Sequence, residues 1–595
     1  MAETLPEIFF RSAERFADKG ALVPKVKGIF KAITYRECAE TVMSFACGLS
    51  ELGVTKGDRV ALLSENRPEW AFSDLAVLAL GGITVPLYLT LSPKQIEYGL
   101  NDSQSKIAII SRPEHLEKFN AIIADVPYLE QVITFYEPSG SELYPVRSFD
   151  SVVARGKAFR KKNPHYIAEC LKKVSEDDCA TIIYTSGTTG EPRGVLLTHR
   201  NFISNINGAL ELIRIDETDM FLSFLPLCHV FERMAGYYLP LSRGSTIVYA
   251  ESVQTVGDNM QEVHPTIMAS VPRLYEKIYN HIQDKAVQGS FIKRKVFEWC
   301  INIGKKHYSA QKGRSVNPVL RYSYAIADRF IFKKVRERTG GRMKYFVSGG
   351  APLSKHIGEF FAGAGLTVLE GYGLTETSPV ISLNPPEDNR IGTVGKPLPG
   401  VEVRIAEDGE ICVRGPNVMA GYHNKPDATN EAFDKDGWFH TGDIGSMSED
   451  RYITITDRKK NLIITSGGKN IAPQPIENML LNSPYILQIM MVAERRSFPG
   501  ALVVPNFENL EIYCKKNGIS YTSRKELINH PRAYELINNE IERLSVDLAH
   551  CEKIKKIVLL ENEFTEQNGE ITPTLKLKRK VIEEKYKKEI EKIYS

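Results

Sequence analysis

Three observations predict an α/β fold. Short apolar runs alternate with helix-like segments from the N-terminus onward. The texture changes at a Pro/Gly-rich stretch that begins at Gly395. After Asp457-Arg-Lys-Lys460 a mixed pattern returns and continues to the end of the chain. The first observation implies a large multi-layer N-terminal domain with parallel-rich sheets, because strands alternating with helices build parallel layers. The second implies a β-rich subdomain over about 395–455, and the third a small α+β C-terminal domain. The expected division is 1–456, a junction at 457–461, and 462–595. A length of 595 residues agrees with more than one domain.

The elements follow in order. Arg59-Val-Ala-Leu-Leu-Ser64, Lys106-Ile-Ala-Ile-Ile-Ser111 and Ser245-Thr-Ile-Val-Tyr249 are short apolar runs between helical segments and read as buried strands. Leu75 to Pro93 carries no charge. A membrane span needs about 20 apolar residues. This segment is interrupted by Gly81-Gly82, Thr84, Pro86 and Thr90, so a helix, a Gly-Gly break and a buried strand over Ile83–Leu91 are expected instead. Gly395-Lys-Pro-Leu-Pro-Gly-Val-Glu-Val-Arg-Ile405 and Gly409-Glu-Ile-Cys-Val-Arg-Gly415 read as short strands joined by tight turns.

Lys285 to Lys344 is strongly basic, with Lys293-Arg-Lys295, Lys305-Lys306, Lys333-Lys334 and Arg336, and aromatics interleaved from Phe291 to Phe330. Two readings stand for it: helices resting on an anionic membrane surface, or an ordinary solvated helix pair packed on the body.

Composition excludes several classes. Lys plus Arg total 76 against 73 Asp plus Glu. That balance disfavours a dedicated nucleic-acid binder. Nine cysteines without a CxxC pair or zinc-like His/Cys spacing read as reduced thiols. The acidic start Met1-Ala-Glu-Thr-Leu-Pro-Glu-Ile8 does not read as a signal peptide. A cytoplasmic protein, with peripheral membrane contact as the alternative, is the expected location.

Chemistry enters at Thr181-Ile-Ile-Tyr-Thr-Ser-Gly-Thr-Thr-Gly-Glu-Pro-Arg-Gly-Val195. An apolar strand runs into a loop rich in glycines and hydroxyls. Glycines let the backbone turn and expose N–H groups, and hydroxyls add donors, so such a loop can cradle phosphates. It does not fit the Walker pattern. This string resembles the phosphate loop of the AMP-forming, adenylate-forming enzymes, with Arg193 where that family usually has Lys. Arg keeps the charge and adds a bidentate fork.

Further motifs follow in that family's order. Ser348-Gly-Gly-Ala-Pro-Leu353 resembles the adenine-side loop, with Gly349, Gly350 and Ala351 giving a flat purine room. Glu370-Gly-Tyr-Gly-Leu-Thr-Glu-Thr-Ser378 resembles the second core motif. There the resemblance implies nucleotide contacts from Glu370, Gly371 and Gly373, Tyr372 stacking on adenine, Thr375 at the α-phosphate, and Glu376 with Thr185 at Mg²⁺. Trp438-Phe-His-Thr-Gly-Asp443 and Asp457-Arg458 imply ribose contacts by Asp443 and Arg458. Lys460 falls at the family's hinge, and Thr465-Ser-Gly-Gly-Lys-Asn470 resembles the loop that reaches the thioester site, with Gly467, Gly468 and Lys469. Gly569-Glu-Ile-Thr-Pro-Thr-Leu-Lys-Leu-Lys-Arg579 resembles the last core motif. It implies the catalytic lysine at Lys576, with Lys578 as the rival. The phosphate loop as a whole comprises Thr185, Ser186, Gly187, Thr188, Thr189, Gly190 and Arg193.

Leu225-Pro-Leu-Cys-His-Val-Phe-Glu-Arg233 resembles the long-chain acyl-CoA synthetase version of its motif. It implies His229 beside the acyl carboxylate. Glu232 and Arg233 interrupt an apolar run and read as a structural ion pair. The implied activity is ATP-dependent, Mg²⁺-assisted conversion of a long-chain fatty acid to acyl-adenylate, then transfer to CoA on a mobile C-terminal domain. An acyl carrier protein as acceptor and a non-catalytic nucleotide sensor are the alternatives.

Overall fold

The structure is a computed structural model that describes residues 3–594. It leaves out 141–143, 186–191, 288–290, 314, 460–462, 465–469, 495, 547, 551, 566 and 572–576, and the side chains of 284–294, 312, 464 and 470. The chain forms two compact units. One contains Met1–Arg404, Cys412–Thr441 and Met447–Thr454; the other contains Ile405–Ile411, Gly442–Ser446 and Ile455–Ser595. The second unit thus takes short pieces on the N-terminal side of the expected junction.

In the first unit, an eight-stranded sheet runs in the order Gly421–Tyr422, Arg193–Thr198, Cys179–Thr185, Ile83–Pro86, Arg59–Leu63, Ile107–Ile110, Gln131–Thr134, Val146–Ser148. Pairing from Cys179–Thr185 through Val146–Ser148 is parallel. All four residues of Ile107–Ile110 are buried. That continuous burial is what helices on both faces impose on a parallel strand. The helices Tyr35–Glu51 and Phe149–Lys162 cross closely. A Cβ on Gly156 would lie 1.7 Å from the Ser44 carbonyl oxygen, so only glycine permits that approach.

The uncharged segment resolves as expected into a helix, Pro68–Ala79, a turn with Gly81 at φ +73°, and a buried strand. The strand ends at Pro86, five residues before the expected end at Leu91. Proline offers no N–H on one side, while on the other Leu87 N–H still donates to the Leu62 carbonyl at 2.9 Å. Among the described residues, no helix is long and apolar enough to cross a membrane.

A nine-stranded sheet has the order Lys396–Pro397, Val380–Leu383, Val368–Gly373, Tyr345–Ser348, Ile267–Ser270, Met220–Ser223, Thr246–Tyr249, Gly20–Val23, Ile33–Thr34. From Val368–Gly373 to Gly20–Val23 it is parallel. The carboxyl ends of these strands therefore share one edge, where open α/β sheets place their ligands. The segments after Ser223, Ser348 and Gly373 are three of the motifs described above. A four-stranded sheet of Glu402–Ile405, Glu410–Arg414, Phe439–Met447 and Ile453–Arg458 accounts for the β-rich texture of 395–455.

The basic segment forms the helices Pro272–Val287, Phe291–Lys312 and Pro318–Ala327, the last continuing through a π-turn into Lys333–Arg338. Phe297, Cys300, Ala327, Phe332 and Val335 join the core of the nine-stranded sheet. Arg336 pairs with Asp328 at 2.7 Å and Lys305 with Glu359 at 2.9 Å, so part of the charge holds the helices together.

The second unit is built on a three-stranded sheet, Ile486–Val492, Gly500–Pro505 and Lys556–Leu559. Alternation sorts its residues. Ile489, Met491, Ala501 and Val503 face a core with Ile476, Leu480, Ile537 and Ile541. Met490, Val492, Leu502 and Val504 face another with Ile582, Ile590 and Ile593. Period-two alternation across a sheet covered on both sides produces this split. The eight described cysteines are free.

Candidate active site

In the first unit, the hairpin Cys179–Thr185/Arg193–Thr198 ends in the register Thr185↔Arg193. This register brings the two ends of the hydroxyl-rich loop together, and the Thr185 hydroxyl donates to the Arg193 carbonyl at 3.4 Å. Ser186, Gly187, Thr188, Thr189 and Gly190 lie outside the described residues. The Arg193 guanidinium sits over the Tyr422 ring, 5.3 Å from its centroid.

Tyr345–Ser348 leads into Gly349, Gly350 and Ala351. Gly350 turns the chain at φ +80°, and it and Ala351 are exposed. Gly349 is buried against Phe231, where a Cβ would come within 3.1 Å of the ring. The small residues thus serve two ends: one admits Phe231 from the His229 motif, and the next two leave an open, flat surface.

Val368–Gly373 carries Glu370, Gly371, Tyr372 and Gly373. The Glu370 carboxyl is 7% exposed and accepts the Gly392 N–H at 3.2 Å. Burial pushes its pKa up to about 7, against the lowering effect of backbone N–H groups. Tyr372 is buried, and Gly373 packs so closely on the Pro379 carbonyl that a Cβ would sit 1.7 Å from it. A short 3₁₀ turn, Thr375–Thr377, then presents Thr375 and Glu376 half-buried. The side chains of Asn205 and Asn417 both donate to the carbonyls of Thr377 and Val380 and clamp this turn.

Glu376 is held at two points. Its carbonyl accepts the Met419 N–H at 2.8 Å, and its Oε1 accepts the Tyr422 hydroxyl at 2.9 Å. Tyr422 stays a phenol, because burial first and Glu376 second raise its pKa. Among the described residues, no group of three or more His, Cys, Asp or Glu could form a metal cage. A carboxylate and a hydroxyl, Glu376 and Thr185, nonetheless fit Mg²⁺. That ion takes few protein oxygens and completes its shell with phosphates and water.

His229 follows Met220–Ser223. Its Nδ1 accepts the Phe231 N–H at 3.2 Å, which leaves Nε2 to carry the ring proton when the imidazole is neutral. Asn66 braces the loop before it, donating to Ser223 Oγ and the Leu225 carbonyl and accepting the Leu227 N–H. The expected Glu232–Arg233 ion pair is not formed. Arg233 pairs with Asp74, while the Glu232 carboxyl is 1% exposed with no hydrogen-bond partner for either oxygen. The two open a π-turn, Glu232–Tyr238, and consecutive residues on a helix do not face each other. Burial drives the Glu232 pKa up to about 8.

In the second unit, Arg458 Nε lies 3.0 Å from Asp443 Oδ1, so the two expected ribose ligands stand together. Asp457 accepts the N–H groups of Arg458 and Gln474. Ile571 and Leu577 form an antiparallel bridge. Lys576 itself lies outside the described residues, as do Lys460, Gly467, Gly468 and Lys469. The rival Lys578 is exposed at the start of the helix Arg579–Lys585. Arg579 is fastened to Glu477 and to the Met491 carbonyl.

The profile of the AMP-binding enzymes matches residues 9–423, and that of the AMP-binding enzyme C-terminal domain matches 460–595. The chain belongs to the AMP-binding enzyme family. Among its relatives is the long-chain-fatty-acid–CoA ligase FadD15 of Mycobacterium tuberculosis. It is 37% identical over 578 residues, covering 96% of this chain and 93% of the relative. The peroxisomal long chain acyl-CoA synthetase 7 of Arabidopsis thaliana is 33% identical, covering 100% and 86%. The crystal structure of the adenylation domain of a carboxylate reductase from Mycobacterium chelonae matches with TM-score 0.77 at 23% identity, covering 100% of this chain and 91% of that one. At that identity the likeness shows the fold. The large domain with parallel-rich sheets and the small C-terminal domain are those of adenylate-forming enzymes.

Sequence reasoning missed Tyr422, Asn205 and Asn417 in this AMP-binding enzyme. All three act at a distance in sequence: Tyr422 is 46 residues from Glu376, and Asn205 is 172 from Thr377. A Gly-Tyr pair that forms a two-residue strand carries no chemical signal by itself.

Proposed function

We propose that the chain activates a long-chain fatty acid with ATP and passes the acyl group to CoA, releasing AMP and pyrophosphate. The observation that carries this reading is the 37% identity, end to end, with a long-chain-fatty-acid–CoA ligase. The ordered set of phosphate, adenine, ribose and lysine motifs supports it.

A carboxylate oxygen attacks the α-phosphorus, and the bond to the bridging oxygen breaks with its electrons leaving on pyrophosphate. The acid arrives ionised, so no general base is needed. The obstacle is repulsion between two anions, which positive charge and in-line positioning offset. In this reading His229 Nε2–H meets the acyl carboxylate, while Thr375 and the loop 185–193 meet the phosphates. Lys576 bridges the two anions. Glu376 and Thr185 would hold Mg²⁺, which supplies positive charge on the phosphate oxygens. Tyr372 and Gly349–Ala351 take the adenine, and Asp443 and Arg458 the ribose. The CoA sulfur then attacks the acyl carbon and AMP leaves. Lys460 is the hinge about which the C-terminal domain exchanges Lys576 for the loop bearing Gly467, Gly468 and Lys469.

The test is AMP, pyrophosphate and thioester formation with acids of increasing length, offering CoA and acyl carrier protein separately. Acyl-CoA with a long-chain preference is expected, with adenylation falling about 100-fold or more in Lys576→Ala. Transfer to carrier protein alone would change the acceptor. No AMP with any acid would leave the nucleotide sensor.

The same reading includes peripheral contact with an anionic bilayer through the basic helices. Val319, Tyr322 and Phe330 are 75%, 72% and 57% exposed along one helix, and Trp299 is exposed on its neighbour. Lys295, Arg321, Arg329, Lys333 and Lys334 are exposed on the same helical segments. Exposed apolar side chains interleaved along the chain with cations suit an anionic interface. Co-flotation with anionic but not zwitterionic vesicles, lost in Trp299→Ala/Phe330→Ala, is the expected result.

A further inference from the structure

Arg233 is 0% exposed and uses all three nitrogens of its guanidinium on three different groups. Nη2 pairs with Asp74 Oδ1, on the helix Pro68–Ala79. Nε donates to the Tyr238 hydroxyl at 3.0 Å, and that hydroxyl donates to Asp74 Oδ2 at 2.7 Å. Nη1 donates to Thr181 Oγ1 at 2.7 Å, and Thr181 Oγ1 donates onward to the Thr84 carbonyl at 2.6 Å. The guanidinium also stands over the rings of Trp70 and Tyr238, 5.4 and 5.5 Å from their centroids. The Thr181 and Tyr238 hydroxyls in this network each donate once and accept once, and both Asp74 oxygens accept a bond.

The network ends matter more than its middle. The Arg233 N–H bonds the His229 carbonyl at 3.1 Å, so the two residues are one helical turn apart. Thr181 lies on Cys179–Thr185, the strand that runs into the phosphate loop, and shares a face with Thr185 four residues on.

We propose that Arg233 is a positioning residue for adenylation: through Thr181 it fixes the turn that carries His229 against the strand that carries the phosphate loop. This rests on the reading of His229 and of the loop 185–193 given above. The two reactants repel each other, so their holders must keep a set spacing under load. A planar fork whose N–H groups point in fixed directions does this, since a shift of any one element breaks geometry with the others. Stability alone is a poor reason for such a network. A buried ion pair replaced by well-packed apolar side chains is often no less stable.

The test uses the full-length protein in single-turnover acyl-adenylate formation at saturating ATP and fatty acid. Thr181→Val removes only the hydroxyl that joins Arg233 to the strand. It should lower the rate constant about 10- to 100-fold, as expected for a misplacement of order 1 Å. The KM for each substrate should change no more than about threefold, because the binding surfaces are intact. Thr181→Ser, which restores the hydroxyl, should recover the rate. Asp74→Leu/Arg233→Met, which replaces the pair by apolar groups, should unfold near the wild-type temperature and still show the rate loss. Wild-type rates in Thr181→Val and in the double variant would overturn the proposal. So would rate losses that follow the melting temperature and are not recovered by Thr181→Ser. If the wild-type protein forms no adenylate at all, the functional reading falls first and this inference with it.

Discussion

Two ion-paired arginines, one in each unit, make an instructive pair. Arg233 is sealed, with Asp74 also fully buried, and its bonds reach a helix, a strand and its own helical turn. Arg579 is less enclosed: its side chain is 16% exposed and that of its partner Glu477 is 7% exposed. It joins a helix start to the helix Pro473–Leu480 and to the strand residue Met491. Both sit within four residues of a group assigned to the chemistry, His229 in one case and Lys576 in the other. The difference lies in what each carboxylate can do if its arginine is removed. Among the described residues, Asp74 retains the Tyr238 hydroxyl alone. Glu477 retains the Met491 N–H at 2.6 Å, and burial already raises its pKa despite Arg579. The first arginine is therefore indispensable to its carboxylate; the second assists a group already inclined to take a proton.

The largest expected effect is that of Arg233→Met alone. It strands Asp74 in the core and should cost about 3–5 kcal/mol, the penalty of breaking a buried pair on one side. Urea unfolding of the full chain measures it. A loss under about 1 kcal/mol would mean that Asp74 finds water, and that the sealed character of this site is overstated.

The next concerns Glu232, beside Arg233 in sequence but isolated from it. A carboxyl whose pKa is about 8 when folded and near 4.5 when unfolded holds its proton in the folded state across that interval. The unfolded state then binds fewer protons, so its share of stability is lost as pH rises from about 4.5 to 8. Glu232→Gln cannot ionise. Relative to wild type it should gain about 1–3 kcal/mol between pH 5 and pH 8, read from melting at both pH values. A difference that does not change with pH would place the carboxyl in contact with solvent or a cation.

The sequence was most legible where a property is local. The alternation around Arg59, Ile107 and Thr246 located three central strands. The Gly81-Gly82 break turned an apparent membrane candidate into a helix and a strand, the strand shorter than expected. The order of the motifs led to the family. What could not be read is partner choice across long separations. Arg233 and Asp74 are 159 residues apart, and nothing in Glu232-Arg233 says which carboxylate the guanidinium will choose. The helical turn decides it by pointing the neighbours apart. Likewise Tyr422 gains its meaning from Glu376 only after the strand Gly421–Tyr422 pairs with Arg193–Thr198. For the basic segment two readings stay open in the sequence, because its pattern does not tell Arg336 and Lys305, which turn to ion pairs, from Lys333 and Lys334, which are exposed.

The smallest expected effect is that of Arg579→Met, and it is the one that sharpens the comparison most. The variant removes a cation from Glu477, and the positive charge there had been lowering a pKa that burial raises. Without it, the folded-state pKa moves further above the unfolded value. By linkage, the unfolded-state pKa cancels between the two proteins, so the penalty of the substitution is small where Glu477 is protonated in both folded proteins and grows as pH rises past the wild type's raised folded-state pKa. The Met491 N–H stays bonded and methionine fills much of the volume, so a loss of about 1–2 kcal/mol at pH 7 is expected, below the usual range for a broken buried pair. At pH 5 the loss should nearly vanish. Melting of wild type and variant at pH 5 and pH 8 decides the matter. A penalty as large at pH 5 as at pH 8 would show that Arg579 acts through its packing and its bond to the Met491 carbonyl rather than through charge. The two arginines would then differ in kind, one an electrostatic hub and the other a mechanical pin beside the lysine loop.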